Sequence, residues 1–202
     1  MDKEEIRWNV WSLMEEEQIA RFPRPVFHRI PNFAGAERAA RRLGNLPEYG
    51  AATTIFCSPD SPQRPVREMI LKDEKILIMA TPKLKKGFLC LKPDAIPKGS
   101  VSHASTIRGA FECGQFVEPS ELKVDLFVLG SVAVSPDGGR LGKGTGYSDR
   151  EYSILKDSGG LAVGALAVTT VHDVQIVEEI PRDEWDIQVD VIVTPTRTLR
   201  TA

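Results

Sequence analysis

The sequence has few cysteines, and their spacing excludes two classes of stabilised protein. The 202 residues include three cysteines, Cys57, Cys90 and Cys113, and no C-x-x-C pair. An odd number of widely separated cysteines favours neither a disulfide framework nor a zinc site. We expect all three to be reduced residues that fill the interior.

Long apolar runs and an excess of one charge are also missing. No stretch approaches the roughly 20 apolar residues that cross a bilayer, and the segment "MDKEEIRWNV" lacks the apolar part of a secretory signal. The 26 basic and 28 acidic side chains give a net charge of −2, so no global basic field attracts nucleic acid. We predict a cytoplasmic protein without a membrane partner. A nucleic-acid partner is not expected, although a local basic patch would be compatible with one.

Two common phosphate-binding motifs are missing where glycines are densest. The P-loop pattern GxxxxGK[ST] would need glycine at Asp137 and serine or threonine at Gly144. The dinucleotide pattern GxGxxG starts at Gly142 but reaches Tyr147 in place of its last glycine. The sequence therefore predicts neither a P-loop enzyme nor a Rossmann dinucleotide site.

What is present is the composition of one globular domain over residues 1–202, 42% hydrophobic and 27% charged. Apolar stretches typical of strands lie at 53–57, 75–81, 87–91, 124–135, 164–171 and 188–195. Helical patterns lie at 3–19, 36–43, 66–71 and 149–156, and residues 92–123 show no regular pattern. In the first helix, an apolar stripe is predicted at Ile6, Val10, Leu13 and Met14. Alternating apolar strands and helices predict a layered α/β fold with parallel pairing.

The stretch "RLGKGTGYSDREY", residues 140–152, combines alternating glycines with concentrated charge. It lies between a predicted strand and a predicted helix, where backbone N–H groups and the helix dipole favour an anion. Arg140 and Lys143 add positive charge, and Asp149 can cap the helix or hold Mg²⁺. On the pattern alone, an anion-binding loop and a plain surface hairpin before a capped helix remain equally weighted.

The same stretch resembles the signature of the 5-formyltetrahydrofolate cyclo-ligase family, approximately G-x-R-L-G-x-G-x-G-Y-Y-D. The upstream segment "DLFVLGSVAVSPDG" and the downstream segment "VHDVQIVEEIPRDEWDIQVDVIVT" are similar to the corresponding family segments. Lys3 and Arg7 reproduce an early K-x-x-x-R pair. Together the matches span nearly the whole chain, and they are weakest in the middle.

The resemblance implies a three-layer α/β/α sandwich with a mostly parallel sheet, cyclo-ligase-like, plus an N-terminal helix. It also implies an enzyme that uses ATP and Mg²⁺ to convert 5-formyltetrahydrofolate into 5,10-methenyltetrahydrofolate. ATP phosphorylates the formyl oxygen, N10 attacks the formyl carbon, and phosphate leaves as the ring closes. Positioning and electrostatics supply most of such a rate enhancement.

The resemblance assigns roles to residues of this chain. Arg140 and Lys143 are implied to neutralise the transferred phosphoryl group. The implied nucleotide-binding residues are Lys3, Arg7, Arg140, Gly142, Lys143, Gly144, Thr145, Gly146 and Tyr147. The implied metal ligands are Asp149 and Asp190, and Asp190 fits because it interrupts the apolar run "VDVIV", where a buried carboxylate needs a partner.

Several of these residues have a plainer interpretation. Lys3 and Arg7, one helical turn apart, can form salt bridges with Glu4 or Glu5 on a solvated face. Tyr147 can position a substrate or simply pack.

His172 and Asp173 look like a metal pair, but neighbours on a strand point to opposite faces, so a structural role is expected. Asp186 is expected to lie in a turn, and Lys83, Lys85 and Lys86 either form a solvated edge or attract an anionic ligand.

The sequence departs from the family pattern on the folate side. Family members carry a glutamate in an E-x-x-T context after the first strand, which contacts the pterin. This chain reads "CSPDSPQRP" there, with Asp60 as the acid, and Ser148 replaces the second tyrosine of the signature. Two alternatives therefore stand beside the cyclo-ligase prediction. One is a related enzyme acting on another formylated or pterin-like substrate, and the other is a non-catalytic nucleotide-binding or RNA-associated module of the same fold.

Overall fold

The computed structural model describes residues 1–201. Its α-helices are α1 (Lys3–Glu16), α2 (Ala36–Gly44), α3 (Pro47–Ala51), α4 (Arg64–Lys72), α5 (Val101–Ala104), α6 (Ile107–Cys113) and α7 (Tyr147–Asp157). Its strands are β1 (Thr54–Cys57), β2 (Ile76–Ala80), β3 (Phe88–Leu91), β4 (Gln115–Val117), β5 (Val124–Leu129), β6 (Ala133–Val134), β7 (Arg140–Leu141), β8 (Leu161–Thr170), β9 (Val191–Val193) and β10 (Thr198–Arg200). Within these residues, no helix has the length and hydropathy that a bilayer span requires.

Eight of the strands form one mixed sheet in the order β10-β9-β8-β5-β1-β2-β3-β4. The five central strands, β9 to β2, are parallel to one another. The outer strands β10, β3 and β4 pair antiparallel at the two edges. The predicted α/β class with a mostly parallel sheet is therefore confirmed.

Helices cover both faces of the sheet because the central strands are apolar on both sides. In β1, Ile55 and Cys57 pack with residues of α2 to α6, whereas Phe56 faces the side on which Leu155 of α7 packs. This alternation follows from the two-residue period of a strand. It produces the three layers that the sequence predicted.

Helix α1 packs outside these layers against the β6–β7 hairpin. Asp2 caps its first turn, since its side chain accepts N–H bonds from Glu4 and Glu5. Its buried residues are Ile6, Val10, Trp11 and Met14, and they contact Val132, Ala133 and Leu141. The predicted N-terminal helix is confirmed, but it ends at Glu16, and Trp11 takes the buried place predicted for Leu13, which is 38% exposed.

Three sequence predictions about regular elements are wrong. The single strand predicted over 124–135 is two strands, because the chain leaves the sheet after Leu129 and returns as the β6–β7 hairpin. Residues 92–123 are not irregular, since they contain α5, α6 and β4. Strand β9 does not close the fold, because β10 pairs with it beyond a turn at 194–197.

The connections around β1 create the crevice that holds the candidate site. From β1 the chain passes to β2 on one side, and it later enters β5 on the other. In a parallel sheet, ligands bind outside the carboxyl ends of the strands where the strand order reverses in this way. Residues 58–60, 81–83 and Gly130 follow β1, β2 and β5 at this edge.

Candidate functional site

The glycine-rich segment 142–146 connects β7 to α7 beside this crevice. Gly144 and Gly146 have φ values of +96° and +68°, which other residues rarely adopt. Gly146 is also the N-cap of α7, and no side chain caps that helix. The first N–H groups of α7 are therefore available to an anion at the positive end of the helix dipole.

Arg140 is fixed immediately before this loop. Its side chain is 2% exposed, and its Nε and Nη2 atoms donate to the carbonyl oxygen of Gly130 at 3.1 and 2.8 Å. Nη1 lies 3.5 Å from Oδ1 of Asp149. Burial lowers the pKa of Arg140, and the carboxyl groups of Asp149, Asp60 and Glu151 act in the opposite direction. The two bonds to Gly130 hold the guanidinium in one orientation.

Two cavities share Arg140, Gly142, Gly146 and Asp149 as a common wall. The first, here called the N-terminal cavity, has a volume of about 490 Å³ and is also lined by Lys3 and Arg7 of α1. Nε of Arg7 donates to the carbonyl oxygen of Gly142 at 2.8 Å, and Nη1 of Arg7 lies 2.8 Å from Oε2 of Glu4. The predicted i, i+4 pair therefore shares a face that lines a cavity, and the alternative salt bridge to Glu4 is present as well.

Lys3 connects α1 to the far end of the chain across the N-terminal cavity. Its Nζ atom donates to Oδ2 of Asp183 at 2.7 Å and to Oδ2 of Asp186 at 2.5 Å. Partial burial lowers the pKa of Lys3, but the hydrogen bonds and charges of the two carboxylates outweigh it and raise the pKa above its usual value. Asp186 also accepts the N–H of Asp183, so its predicted place in a turn is confirmed.

The second cavity, here called the strand-end cavity, has a volume of about 330 Å³ and opens where β1 and β2 end. It is lined by Asp60, Thr81, Lys83, Lys143, Thr145, Tyr147 and Glu151, among others. Arg67 holds the loop after β1 in place, because its Nη1 donates to the carbonyl oxygens of Ser58 and Asp60 at 2.6 and 2.8 Å. Burial raises the pKa of the Asp60 carboxyl, while Lys143, Arg67 and Arg140 oppose that shift.

Glu151 is a buried acid of the strand-end cavity. It is 5% exposed, and among residues 1–201 no group forms a hydrogen bond or ion pair with its carboxyl. Burial, together with the neighbouring carboxylates Asp60 and Asp149, raises its pKa to about 8 against the opposing charges of Arg140 and Lys143. The cavity thus contains a buried carboxyl without a protein partner.

The two predicted metal ligands lie in different surroundings. Asp149 is on the first turn of α7, lines both cavities and accepts the N–H of Ile187 at 3.1 Å. Asp190 is exposed, and its Oδ2 accepts the N–H of Ala167 at 2.7 Å. The premise that Asp190 is buried without a partner is wrong, because the strand in which it was expected begins only at Val191.

Within residues 1–201, no group of three or more His, Cys, Asp or Glu side chains is placed to hold a metal ion. His172 Nδ1 accepts the N–H of Val174, and Asp173 accepts hydrogen bonds from Thr194 and Thr196. The structural role predicted for His172 and Asp173 is therefore confirmed.

Comparison with known proteins agrees with this architecture. Residues 1–195 match the 5-formyltetrahydrofolate cyclo-ligase family. The chain belongs to this family. A methenyltetrahydrofolate synthase domain-containing protein of Mus musculus is 42% identical over 208 residues, and its Bos taurus counterpart is 41% identical over 206 residues. Both alignments cover the whole chain but 55% and 54% of the relatives, so the chain spans about half their length.

A solved cyclo-ligase family structure shares the fold. The 5,10-methenyltetrahydrofolate synthetase of Aquifex aeolicus superposes with a TM-score of 0.62 at 25% sequence identity. The superposition covers 99% of this chain and 93% of the other. The family resemblance in the sequence and the predicted fold are both confirmed.

Most of the residues assigned from the cyclo-ligase signature come together in space. Lys3, Arg7 and Gly144 line the N-terminal cavity, Lys143, Thr145 and Tyr147 line the strand-end cavity, and Arg140, Gly142, Gly146 and Asp149 line both. Asp190 lines neither of these two cavities. The gathered residues are ten of the eleven that the sequence singled out, so the signature is a compact cluster in the folded chain.

Sequence reasoning missed Glu151 and left Asp60 without a role. Glu151 stands early in a helix between charged and polar residues, a context typical of solvated helix faces. Asp60 was noted only as the acid found where the family has a glutamate. One signal was available for Glu151. It lies only five residues after the glycine loop, and a residue this early in the helix stays close to the crevice beside that loop.

Proposed function

We propose that this chain catalyses the ATP- and Mg²⁺-dependent conversion of 5-formyltetrahydrofolate to 5,10-methenyltetrahydrofolate. Family membership supports the reaction class. The observation that carries the proposal is the pair of cavities that meet at Arg140 and the glycine loop. One cavity is lined by the cations Lys3 and Arg7, and the other ends at the carboxyl groups of Asp60 and Glu151. Such an arrangement fits two different substrates that react across a shared wall.

The proposed reaction needs the formyl oxygen to become a leaving group. That oxygen attacks the γ-phosphorus of ATP, the bond to the bridging oxygen breaks, and ADP leaves. N10 then attacks the formyl carbon and loses its proton. The carbon–oxygen bond breaks, inorganic phosphate departs, and the N5–C–N10 bridge carries the positive charge of the methenyl product.

In this proposal the N-terminal cavity receives the triphosphate. Lys3 and Arg7 supply charge from α1, and the uncapped N–H groups at the start of α7 bind phosphate oxygens. Arg140 stands where the two cavities meet and Lys143 lines the strand-end cavity, so both can neutralise charge on the transferred phosphoryl group. Tyr147 and Thr145 form the wall that faces the folate.

Asp149 is the residue we assign to Mg²⁺. A magnesium ion bound to nucleotide phosphates needs only one or two protein carboxylates and keeps several waters. The Asp149 carboxylate is 24% exposed and borders both cavities, which fits that requirement. A bound Mg²⁺ would supply positive charge that stabilises the phosphates. Asp190 is not part of this assignment, because its carboxylate is bonded to the backbone outside the two cavities.

A related substrate is the second candidate. The loop after β1 presents Asp60 where the family has a glutamate, and Asp60 is one methylene shorter. A different formylated or pterin-like ring would fit a cavity altered in this way. Binding of ATP without ring closure of 5-formyltetrahydrofolate would favour this candidate.

Ring closure is measured by the near-ultraviolet absorbance of the methenyl product. We expect absorbance to rise when the protein is mixed with ATP, Mg²⁺ and 5-formyltetrahydrofolate, and not to rise when Mg²⁺ is removed by a chelator. Lys143→Met is expected to lower kcat/KM by about 100-fold, because it removes a charge beside the transferred group.

Lys156→Met is the matched control for Lys143→Met. Lys156 is exposed in the last turn of α7 and lines neither of the two cavities, so its loss is expected to leave kcat/KM within about twofold. Equal activity of the two variants would contradict the role of Lys143. A wild-type protein that binds ATP but never forms the product would contradict the cyclo-ligase proposal itself.

A further inference from the structure

The strand-end cavity contains a polar group that the proposed chemistry of phosphoryl transfer does not use. Glu151 is only 5% exposed, and its side chain borders the cavity. A buried carboxyl normally has hydrogen-bond partners, because removing it from water without them costs free energy. Within residues 1–201 this one has none. The cavity is the remaining direction from which a partner can come.

The neighbours of Glu151 restrict what that partner is. Arg140, Lys143 and Lys83 are the cations of the cavity, and Asp60 and Asp149 are its other acids. Arg140 is already bonded to Gly130 and lies near Asp149. A ligand with its own hydrogen-bond donors would satisfy the carboxyl oxygens of Glu151, while acceptors on the same ligand can face Lys83 and Lys143.

We propose that Glu151 selects the substrate ring by binding an edge with two adjacent N–H donors, which an aminopyrimidinone ring presents at N3 and at its 2-amino group. The ionised carboxylate matches such an edge with two parallel hydrogen bonds, and two N–H donors on the ligand favour that charged form. This inference rests on the proposed function, because 5-formyltetrahydrofolate contains that ring. It places the ring-binding acid in the second turn of α7, five residues after Gly146.

Glu151→Gln tests the inference without endangering the fold. No described protein group bonds to the carboxyl, so the substitution leaves no protein partner unpaired. We expect the unfolding midpoint of the variant to be equal to or higher than that of the wild type. In calorimetry, the Kd for 5-formyltetrahydrofolate is expected to rise by about tenfold or more, and the Kd for ATP is expected to stay within about twofold.

The matched ligand is 5-formyltetrahydrofolate in which a methyl group replaces the 2-amino group. This analogue keeps the N3 donor but lacks the 2-amino donor, so Glu151→Gln should weaken its binding less than it weakens the binding of 5-formyltetrahydrofolate. The inference would be overturned if Glu151→Gln raised the Kd of both ligands equally. It would also be overturned if the Kd of 5-formyltetrahydrofolate did not change.

The outcome is separable from that of the proposed function. If the wild type binds 5-formyltetrahydrofolate through Glu151 but forms no methenyl product, the cyclo-ligase proposal fails and this inference stands. If the wild type forms the product and Glu151→Gln binds substrate as the wild type does, the inference fails and the proposed function stands. A wild type that binds neither the folate nor its analogue overturns the inference.

Discussion

Ser58 lies in this crevice with its backbone hydrogen-bonded and its side-chain hydroxyl unpaired. Its N–H donates to Val128 and its carbonyl accepts from Arg67, so the backbone position is fixed on both sides. Its hydroxyl, however, is buried and has no hydrogen-bond partner. A buried, unpaired hydroxyl costs about 1–3 kcal/mol of stability. The backbone of Ser58 is therefore held by hydrogen bonds, whereas its side-chain hydroxyl is unsatisfied.

Ser58→Ala is therefore expected to raise the free energy of unfolding, or to leave it unchanged, in urea titrations. Ser131→Ala is the matched control, because the Ser131 hydroxyl lies 2.8 Å from the Thr169 hydroxyl and is equally buried. The control is expected to lose about 1 kcal/mol. A larger loss for Ser58→Ala than for Ser131→Ala would show that the Ser58 hydroxyl has a partner, and would contradict the prediction.

The elements around the site differ in how far the sequence predicts them. Strands β1 and β2 agree with the prediction within one residue, because their apolar runs have clear polar ends. Helices α5 and α6 were missed because they have only four and seven residues, too few to show a helical period. The break after Leu129 was missed because Gly130 and Ser131 lie between two apolar runs that read as one. Only the folded chain reveals that Gly130 must lack a side chain, since a Cβ there would lie 2.8 Å from Oδ2 of Asp60.

Gly144→Ala is the prediction that belongs to the glycine loop. At a φ of +96° an alanine is strained by about 1–2 kcal/mol, so the loop is expected to shift and the KM for ATP to rise severalfold. Gly159→Ala is the control, because Gly159 has a φ of +75° with open space around it at the opposite end of α7. Both variants are expected to lose stability in thermal melts, but an increased KM in Gly159→Ala would contradict the assignment of the loop.

At the scale of the whole molecule, the site joins segments from almost the entire chain. The glycine loop and the K-x-x-x-R pair could be predicted, because a short signature marks them. The carboxyl groups of the strand-end cavity could not, because burial and the absence of a partner depend on strand order rather than on local sequence. Lys3 illustrates the long range involved, since its partner Asp183 lies 180 positions away.

Lys3→Met is expected to lower the unfolding midpoint by only about 1–2 °C, because Asp183 is 48% exposed and solvent weakens the ion pair. The pKa of Lys3 is raised on folding, so its contribution is complete below the usual lysine pKa of about 10.4 and is lost as the pH rises through the higher folded value. The difference from the wild type should therefore be the same at about pH 6 and about pH 9.

Lys98→Met, which changes an exposed lysine far along the chain from these acids, is the control for that melt. The KM for ATP should rise in Lys3→Met and not in Lys98→Met. A midpoint difference that disappears between neutral pH and about pH 9 would contradict the assigned direction of the Lys3 pKa.

The bridge from Lys3 to Asp183 and Asp186 also sets an order of events during synthesis on the ribosome. A nascent chain that has emerged only as far as β8 already contains α1, the glycine loop and most of the sheet, yet it lacks the acids that fasten α1 over the N-terminal cavity. The N-terminal cavity, which we propose binds the nucleotide, can therefore gain this bridge only after Asp183 and Asp186 have left the ribosome.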